Sequence, residues 1–401
     1  MELKSFYPLS GGVRHYAWGE TASSGAVPYI AKLLGVDPGS EPWAELWLGA
    51  HPSLPSEVLV DGVRQPLGEA ISLNPVEWLG MAAAAALTPP QLSFLFKVLA
   101  CNHPLSIQSH PDAAAAKVLH ATKPQLYPDA NDKTEVMIAL EPFEALAGFR
   151  NLQMIRRDLG AVKAFAPLLE TWNRGADADN LKGLCAALFA MADASRQAML
   201  AAALAEVTAA GRPANPAETL FAKLSAEYPG DRGTFFAFLL NQISLQSGQA
   251  LFLAPNTPHA YQRGAGIECM TNSDNVIRAG LTPKAVDVET LMGTLNFQDV
   301  GAALLEPVRE ARGTGTVERY VLPTPKFQLA FYRGAPCQVD ELGDAIGVFL
   351  VLSGRAALSV SGQATVEAGR GTAWVRPAAL KNATVTPLEP GSVVVWAMPN
   401  F

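Results

Sequence analysis

The chain has 401 residues, 49% of them hydrophobic and 17% charged, which is enough to form buried cores in two or three domains. Its formal net charge is −7 and it has no basic run, so it lacks the clustered cations that nucleic-acid binding requires. No stretch reaches the roughly 18 apolar residues of a membrane span, and we expect no signal peptide at the N-terminus. The four cysteines, Cys101, Cys185, Cys269 and Cys337, are widely spaced, which predicts free thiols in a cytosolic protein.

Short strands and turns are predicted over residues 1–100. Turn signals occur at Gly11-Gly12 and Asp61-Gly62. Trp18, Trp43 and Trp47 could form a platform for a sugar ring, but core packing is the better interpretation for at least two of them.

The segment from Pro104 to Glu135 holds the first candidate metal ligands. Ser106, Gln108 and His110 alternate along a predicted strand, so their side chains should point into one space. Lys133 and Glu135 should share a face in the same way. Imidazole and carboxylate are good ligands for a divalent metal, and the oxygen of Gln is a weaker one. A hydrogen-bonded polar pair at a strand end is the alternative.

A helical insertion is predicted over residues 151–235. Apolar residues recur at steps of three and four from Leu152 to Val162, and the Ala-rich run from Ala186 to Ala210 continues the pattern. Asn215-Pro216-Ala217-Glu218 has the residues of a helix start. Cys185 falls on an apolar helix face and is expected in the core.

Strands return after Ile243. A short apolar run ends at Pro255-Asn256-Thr257-Pro258, so His259 should lie where the next strand begins. A short helix is predicted near Val286–Met292. Cys269 is expected to be a small packing residue and not a nucleophile, because no His is near it in sequence.

From about Glu310 a second β-rich unit is predicted, with strands near 348–354, 357–360, 369–375 and 392–396. It contains no His, so a second metal site of the same kind is not expected there. His15, His51, His103 and His120 are interpreted as surface or hydrogen-bonded histidines.

Several blocks, in this order, resemble those of type I phosphomannose isomerases, which are zinc-dependent mannose-6-phosphate isomerases of the cupin class. The blocks are Tyr16–Gly19, Ala44–Pro52, Phe94–Leu99, Gln108 with His110, Tyr228–Asp231, Pro258–Tyr261 and Glu268–Lys284. The resemblance implies a mainly β fold with an α-helical insertion, namely two cupin-like jelly-roll units plus a helical domain. The expected division is a catalytic cupin at 1–150 with 236–310, a helical insertion at 151–235, and a metal-free jelly roll at 311–401.

The resemblance also implies one Zn²⁺ per chain, held by Gln108, His110, Glu135 and His259. One carboxylate and three neutral ligands leave a charge near +1, which suits a developing oxyanion. A structural zinc fits less well, because such sites are usually closed and Cys-rich. The implied activity interconverts mannose 6-phosphate and fructose 6-phosphate through an enediol, with zinc as a Lewis acid.

Further site residues follow from the matched blocks. The expected catalytic residues are Arg278, Lys133, Asp274 and Glu268, and the last three remain open as alternatives for the proton-transfer base. Ser106, Lys97 and Lys284 are expected to contact substrate. Without the family block, a surface salt bridge would be the ordinary interpretation of Arg278, and Ser106 and Lys97 could have core or strand-edge roles.

One block departs from the family pattern. The chain has Asn131-Asp132-Lys133-Thr134-Glu135-Val136 where the family commonly has Asn-His-Lys-Pro-Glu-Met. Strand alternation predicts that Asp132 points away from the metal and lies at the rim of the pocket.

Two alternative functions remain: an isomerase with shifted sugar-phosphate preference, and a non-catalytic cupin that binds sugar phosphates. An iron-dependent cupin oxygenase is disfavoured by the Gln ligand and the Arg/Lys set. The expected partner is a small sugar phosphate, with neither nucleic acid nor membrane. A monomer is one option for the oligomeric state, which the sequence leaves open.

Overall fold

The computed structural model describes residues 3, 5–23, 26–170, 172, 177–209, 213–299, 301–334, 337–338 and 344–401. The side chain of Cys337 lies outside the described part of the chain. Within these ranges, no helix is both long enough and apolar enough to cross a membrane.

Strands outnumber helices in the described chain. The strands are β1 (Tyr7–Ser10), β2 (Gly12–Arg14), β3 (Glu45–Gly49), β4 (Glu57–Val60), β5 (Val63–Pro66), β6 (Phe94–Cys101), β7 (Ile107–Ser109), β8 (Glu135–Ala139), β9 (Phe143–Phe149), β10 (Leu240–Leu245), β11 (Ala250–Leu253), β12 (His259–Thr271), β13 (Ile277–Gly280), β14 (Ala303–Leu305), β15 (Val308–Arg312), β16 (Gly315–Tyr320), β17 (Gln328–Arg333), β18 (Cys337–Gln338), β19 (Gly347–Ser353), β20 (Arg355–Val360), β21 (Val366–Gly369), β22 (Ala373–Arg376), β23 (Ala383–Pro387) and β24 (Val393–Met398).

Six of the twelve α-helices in the described chain lie between β9 and β10. The helices are α1 (Tyr29–Leu34), α2 (Leu67–Leu73), α3 (Pro75–Leu79), α4 (Met81–Ala86), α5 (Ala113–Thr122), α6 (Leu152–Gly160), α7 (Ala166–Leu169), α8 (Asp177–Ala190), α9 (Asp193–Val207), α10 (Pro216–Glu227), α11 (Phe236–Leu239) and α12 (Val288–Thr294), with 3₁₀ turns at Lys163–Phe165 and Arg232–Phe235. The mainly β character predicted from the sequence is confirmed.

Local sequence signals set the ends of the helices. Asn215 caps α10 by accepting from the backbone N–H of Glu218, whose side chain accepts from the Asn215 N–H in return. This is the predicted capping box, and it satisfies two backbone donors at the start of the helix. Cys185 of α8 is fully buried in the hydrophobic core of the helical segment, as predicted.

The C-terminal strands share a sheet with the start of the chain. The sheet has the order β15-β16-β17-β24-β19-β22-β1-β4-β5, and Leu9 of β1 lies opposite Ala373 of β22. A separate sheet, β18-β23-β20-β21, contains only C-terminal strands. The unit expected at 311–401 is therefore completed by three strands from residues 7–66.

The remaining strands form the sheet that carries the candidate site, and the long strand β12 pairs with four of them. Part of the sheet has the order β14-β11-β8-β12-β6-β3-β2. In addition, β7 and β9 each pair with β12, β13 pairs with β7, and β10 pairs with β9. The register of β12 shifts between Tyr261 and Arg263, which inserts one extra residue, Gln262. Such a bulge reverses the alternation of side chains. His259 and Glu268, an odd number of residues apart, can therefore face the same side.

Gly264 allows the strand to continue past this bulge. Its φ is +118°, and a Cβ there would come within 2.5 Å of the Pro142 carbonyl oxygen. Only glycine combines that conformation with so close an approach to the neighbouring backbone.

Candidate active site

Three side chains that could hold a metal ion converge near the start of β12. The ligand atoms of His110, Glu135 and His259 all lie within 4.8 Å of one another, and all three residues are buried. The Nε2 atom of His110 is 3.1 Å from Glu135 Oε1, and that of His259 is 3.4 Å from Glu135 Oε2. His259 is the first residue of β12, as predicted.

Backbone carbonyls fix the orientation of both imidazole rings. His110 Nδ1 lies 3.0 Å from the Asn275 carbonyl oxygen, and His259 Nδ1 lies 2.9 Å from that of Thr257. A carbonyl can only accept, so each Nδ1 carries the proton and a neutral ring keeps its Nε2 lone pair for a ligand. Burial, with Lys133 nearby, lowers the pKa of His110 to about 3, which keeps that ring neutral.

The geometry of these atoms fits a divalent cation. Burial alone would raise the pKa of Glu135, but Lys133 and His110 hold it well below its usual range, so Glu135 is a carboxylate. The Nε2 atoms of both imidazoles face the Glu135 carboxylate, and the two carboxylate oxygens and His259 Nε2 are buried with no hydrogen-bond partner among the described residues. Such converging acceptors are unfavourable in a buried site unless a cation lies among them.

A row of paired residues across β12, β7 and β13 extends the site. Gln108 lies opposite His259 on one side and opposite Arg278 on the other. Directly opposed residues leave a sheet on the same face. The row therefore connects a candidate ligand, Gln108, to the cavity in which Arg278 lies. The strand predicted through Ser106 to His110 is shorter than expected, because β7 covers only Ile107–Ser109.

An open cavity of about 420 Å³ lies against this row. It is lined by eight of the predicted site residues: Lys97, Ser106, Gln108, Lys133, Glu268, Asp274, Arg278 and Lys284. The other three, His110, Glu135 and His259, are buried behind Lys133. Thus all the residues that the sequence assigned to one site lie together.

Lys133 lies between the cavity and the buried ligands. Its Nζ is 2.8 Å from Glu135 Oε1 and 3.4 Å from His110 Nε2. The prediction that Lys133 and Glu135 share a strand was wrong in one respect, because β8 begins only at Glu135. The two side chains nevertheless meet on one side of the chain.

Asp132 points away from the metal-binding side chains. It accepts a hydrogen bond from the Thr134 hydroxyl at 3.3 Å, and its carboxylate is 3.9 Å from Lys326 Nζ. It does not line the cavity, contrary to the expectation that it lies at the rim. Lys326 precedes β17, so this carboxylate faces the C-terminal unit instead.

A buried ion-pair network forms one wall of the cavity. Lys97 Nζ is 2.7 Å from Glu268 Oε2 and 3.5 Å from Glu45 Oε1, and it lies over the Trp47 ring at 5.0 Å. Burial opposes the charge on Lys97, but the two carboxylates raise its pKa above the usual value. Burial, reinforced by the carboxylates of Glu135 and Glu45, raises the pKa of Glu268 although Lys97 opposes it. Lys97 is therefore a fixed cation.

Asp274 is held at another side of the cavity. Its carboxylate is 3.4 Å from His51 Nε2 and accepts from the Ser53 hydroxyl at 3.2 Å. The hydrogen bond from His51 lowers the pKa of Asp274. His51, interpreted from sequence as surface or hydrogen-bonded, is a buried hydrogen-bonding residue that orients Asp274.

Arg278 and Lys284 are available to a ligand. In the described part of the chain, no carboxylate lies within ion-pair distance of either residue. Arg278 is half-buried, and this burial lowers its pKa. The surface salt bridge considered for Arg278 is therefore absent from the described residues. Two unpaired cations in one cavity favour an anionic ligand.

Some residues of the site were missed by sequence reasoning. Glu45 was not singled out, although Glu45 and Trp47 alternate on one strand, and the carboxylate accepts from the Trp47 indole at 2.7 Å. Tyr16 was also missed, and it stacks on Trp18 with ring centroids 5.5 Å apart. Of the three tryptophans considered for a sugar platform, Trp18 and Trp47 line the cavity, while Trp43 and Trp47 pack in hydrophobic clusters. Tyr228 also lines the cavity.

Comparisons with known proteins agree with this arrangement. A family model described as phosphomannose isomerase type I, catalytic domain, matches residues 6–152. The mannose-6-phosphate isomerase of Ogataea parapolymorpha is 37% identical over 382 residues, covering 89% of this chain and 89% of that protein. The human mannose-6-phosphate isomerase is 37% identical over 321 residues, covering 74% of each chain.

Solved structures agree over almost the whole length. A zinc-bound mannose 6-phosphate isomerase superposes with a TM-score of 0.83 at 30% identity, covering 99% of this chain and 100% of that one. A variant of the Salmonella typhimurium phosphomannose isomerase superposes with a TM-score of 0.84 at 30% identity and the same coverage. The chain therefore belongs to the mannose-6-phosphate isomerase family, and its catalytic segment is of type I.

Proposed function

We propose that the protein is a zinc-dependent aldose–ketose isomerase that interconverts mannose 6-phosphate and fructose 6-phosphate. One observation carries this proposal: two oriented imidazoles and a carboxylate converge beside a cavity that holds two unpaired cations. Family membership supports the same substrate pair. A cavity of about 420 Å³ is within the usual range for a small ligand.

We propose that His110, Glu135, His259 and Gln108 hold the zinc ion. The first three present atoms that suit it, and Gln108 is their cross-strand neighbour on the cavity side. Zinc bound there would supply Lewis acidity to an oxygen that gains negative charge. The carbonyls of Asn275 and Thr257 hold the imidazoles in the required tautomer.

We propose an enediol route, in which a base takes the C2 proton of the aldose and returns it to C1, while a hydroxyl proton moves from O2 to O1. Glu268 is our candidate for the carbon proton, because it lines the cavity and its pKa is raised by burial. Asp274 suits this role less, because His51 lowers its pKa. Lys97 holds Glu268 in place as a permanent cation.

The remaining polar residues have complementary roles in this proposal. The Arg278 guanidinium offers a planar pair of donors to the enediolate or the phosphate. Lys284 and Ser106 would bind the substrate on the same side. Lys133, next to Glu135, would donate to a sugar oxygen as the charge on that oxygen develops.

No observation favours the shifted sugar preference considered from the sequence. Asp132 and Thr134, which replace residues common in the family, bond to each other, and neither lines the cavity. The other alternative was a protein that binds sugar phosphates without catalysis. Such a protein would not need a buried Lys97–Glu268 pair beside the cavity, so this pair favours an enzyme.

We also propose that the strands form two cupin-like jelly rolls, with the catalytic one at 1–150 and 236–310, a helical domain at 151–235 and a metal-free one at 311–401. The absence of His from 311–401 supports the last assignment. The strands β1, β4 and β5, which pair within the C-terminal sheet, would join these units firmly.

A coupled assay that detects fructose 6-phosphate formed from mannose 6-phosphate tests the function. We expect turnover by the zinc-loaded protein and a loss of kcat in Glu268→Gln, which removes the base but keeps the side-chain shape. Binding of mannose 6-phosphate without turnover by the unaltered protein would contradict the proposal and favour a sugar-phosphate-binding protein.

A further inference from the structure

A second cavity of about 420 Å³ lies beside the active-site cavity and shares Thr282 and Lys284 with it. Its charged lining residues are Arg196, Arg232, Lys284 and a single carboxylate, Asp231. The cavity is therefore a positive region on a chain whose net charge is −7. Such a region attracts anions.

Arg196 lines this cavity, and its guanidinium is incompletely hydrogen-bonded. It lies on α9 and is only 6% exposed. Its Nη1 is 2.7 Å from the carboxylate of Asp193, but its Nε is buried and has no hydrogen-bond partner within the described ranges. A buried guanidinium with an unpaired donor is costly, and an anion next to the group in the cavity would improve its electrostatic environment.

Arg232 adds a second guanidinium close to the first. Its Nη2 lies 3.9 Å from the same Asp193 carboxylate, whose side chain is 78% exposed. The Arg232 guanidinium also lies 5.4 Å from the centre of the Phe189 ring, which limits its movement. Burial and the charge of Arg196 together lower the pKa of Arg232. The two cations thus repel each other and share one solvated carboxylate.

Asp231, the carboxylate in the lining, is already engaged by backbone. Its Oδ1 accepts from the N–H groups of Gly233 at 2.6 Å and Leu281 at 2.8 Å. These bonds join the turn after α10 to the end of β13. They do not remove the charge of Asp231, so three cations (Arg196, Arg232 and Lys284) face two carboxylates (Asp231 and the adjoining Asp193), which leaves a net charge of +1.

We propose that this cavity is a second anion site, which binds a phosphate group through Arg196 and Arg232. Paired guanidinium groups match the oxygens of phosphate in geometry and charge. The same chemistry recognises free inorganic phosphate and the phosphate end of a sugar phosphate that reaches past Lys284. The site does not depend on the isomerase activity proposed above.

Equilibrium dialysis of labelled inorganic phosphate against the zinc-loaded full chain tests this site. We expect the unaltered chain to bind one phosphate more than the Arg196→Gln/Arg232→Gln double variant, whose affinity at this site should fall by about tenfold or more. Arg156→Gln is the matched control, because Arg156 is exposed on α6 and does not line this cavity. This control should bind as much phosphate as the unaltered chain.

A second variant tests the site without changing Arg196 or Arg232, because replacement of the buried Arg196 could also affect folding. Ala285 is exposed and lines the cavity, so Ala285→Glu places a carboxylate there and should also weaken phosphate binding. Equal phosphate binding by the unaltered chain, the Arg196→Gln/Arg232→Gln double variant and Ala285→Glu would overturn the proposal.

If these variants lose phosphate binding, their KM for mannose 6-phosphate identifies the natural occupant of the site. A raised KM indicates the sugar phosphate, and an unchanged KM indicates free phosphate. Phosphate binding without isomerase turnover would refute the proposed function and leave this site standing.

Discussion

Replacing Lys97 with Met should strongly destabilise the protein, because it leaves two buried carboxylates without their cation. Lys97 is 6% exposed, Glu268 is 3% exposed and Glu45 is 6% exposed. Breaking a buried ion pair by removing one partner typically costs about 3–5 kcal/mol. The apolar stem of Met fits the space, so most of the loss should come from the uncompensated charge and not from a cavity.

The loss should also depend on pH, and its sign follows from proton linkage. Burial already raises the pKa of Glu268, and removal of Lys97 should raise it further. A carboxyl group with a raised pKa in the folded state binds more protons when folded, so stability falls as pH rises. The destabilisation by Lys97→Met should therefore be larger at about pH 8 than at about pH 5.5, by about 1.4 kcal/mol for each unit of the further shift.

Urea unfolding followed by tryptophan fluorescence at both pH values measures this effect. Lys32→Met is the matched control, because Lys32 is exposed on α1, and such a surface change should alter stability by only about 0.5 kcal/mol or less. A loss below about 1 kcal/mol, or one that does not change with pH, would refute the reasoning, because a buried ion pair predicts both effects.

Two further predictions concern catalysis and the altered block. If the guanidinium acts on charge that develops in the transition state, as proposed, Arg278→Ala should lower kcat and kcat/KM together, by about 10²–10³-fold. Arg278→Lys should not restore the rate, since the planar fork is lost; steady-state kinetics with near-normal values would remove Arg278 from the site. Asp132→His should leave zinc content unchanged and alter KM by no more than a few-fold, because Asp132 faces Lys326. Elemental analysis that finds less zinc in this variant would show that Asp132 supports the metal site.

Structural features that depend on residues close together in the chain could be predicted from the sequence. The capping box at Asn215 and the buried face around Cys185 depend on residues within one or two helical turns. The start of β12 at His259 follows from the Pro and Asn residues before it. The prediction that the site residues lie together depended on the family resemblance. The spacing of Gln108 and His110 alone was also consistent with a hydrogen-bonded polar pair at the end of a strand.

Features that depend on distant pairing were not predictable. The pairing of β1 with β22 joins residues at opposite ends of the chain, and neither segment identifies its partner. The bulge at Gln262 turns His259 and Glu268 to one side, yet the register shift that creates it depends on the partner strand β9. Glu45 was missed for the same reason, because its role appears only when β3 and β6 lie side by side.

Zinc removal and return, followed by the rate of fructose 6-phosphate formation from mannose 6-phosphate, tests the central claim most directly. The proposed ligand residues lie on strands, or directly after one in the case of His110, and the cores beside these strands are apolar, so the chain should stay folded without the ion. We predict that the chelated protein is folded and inactive, and that one zinc ion per chain restores the rate in the unaltered protein but not in His110→Ala/His259→Ala. A full rate in the zinc-free protein, or zinc-restored turnover in that double variant, would contradict the account.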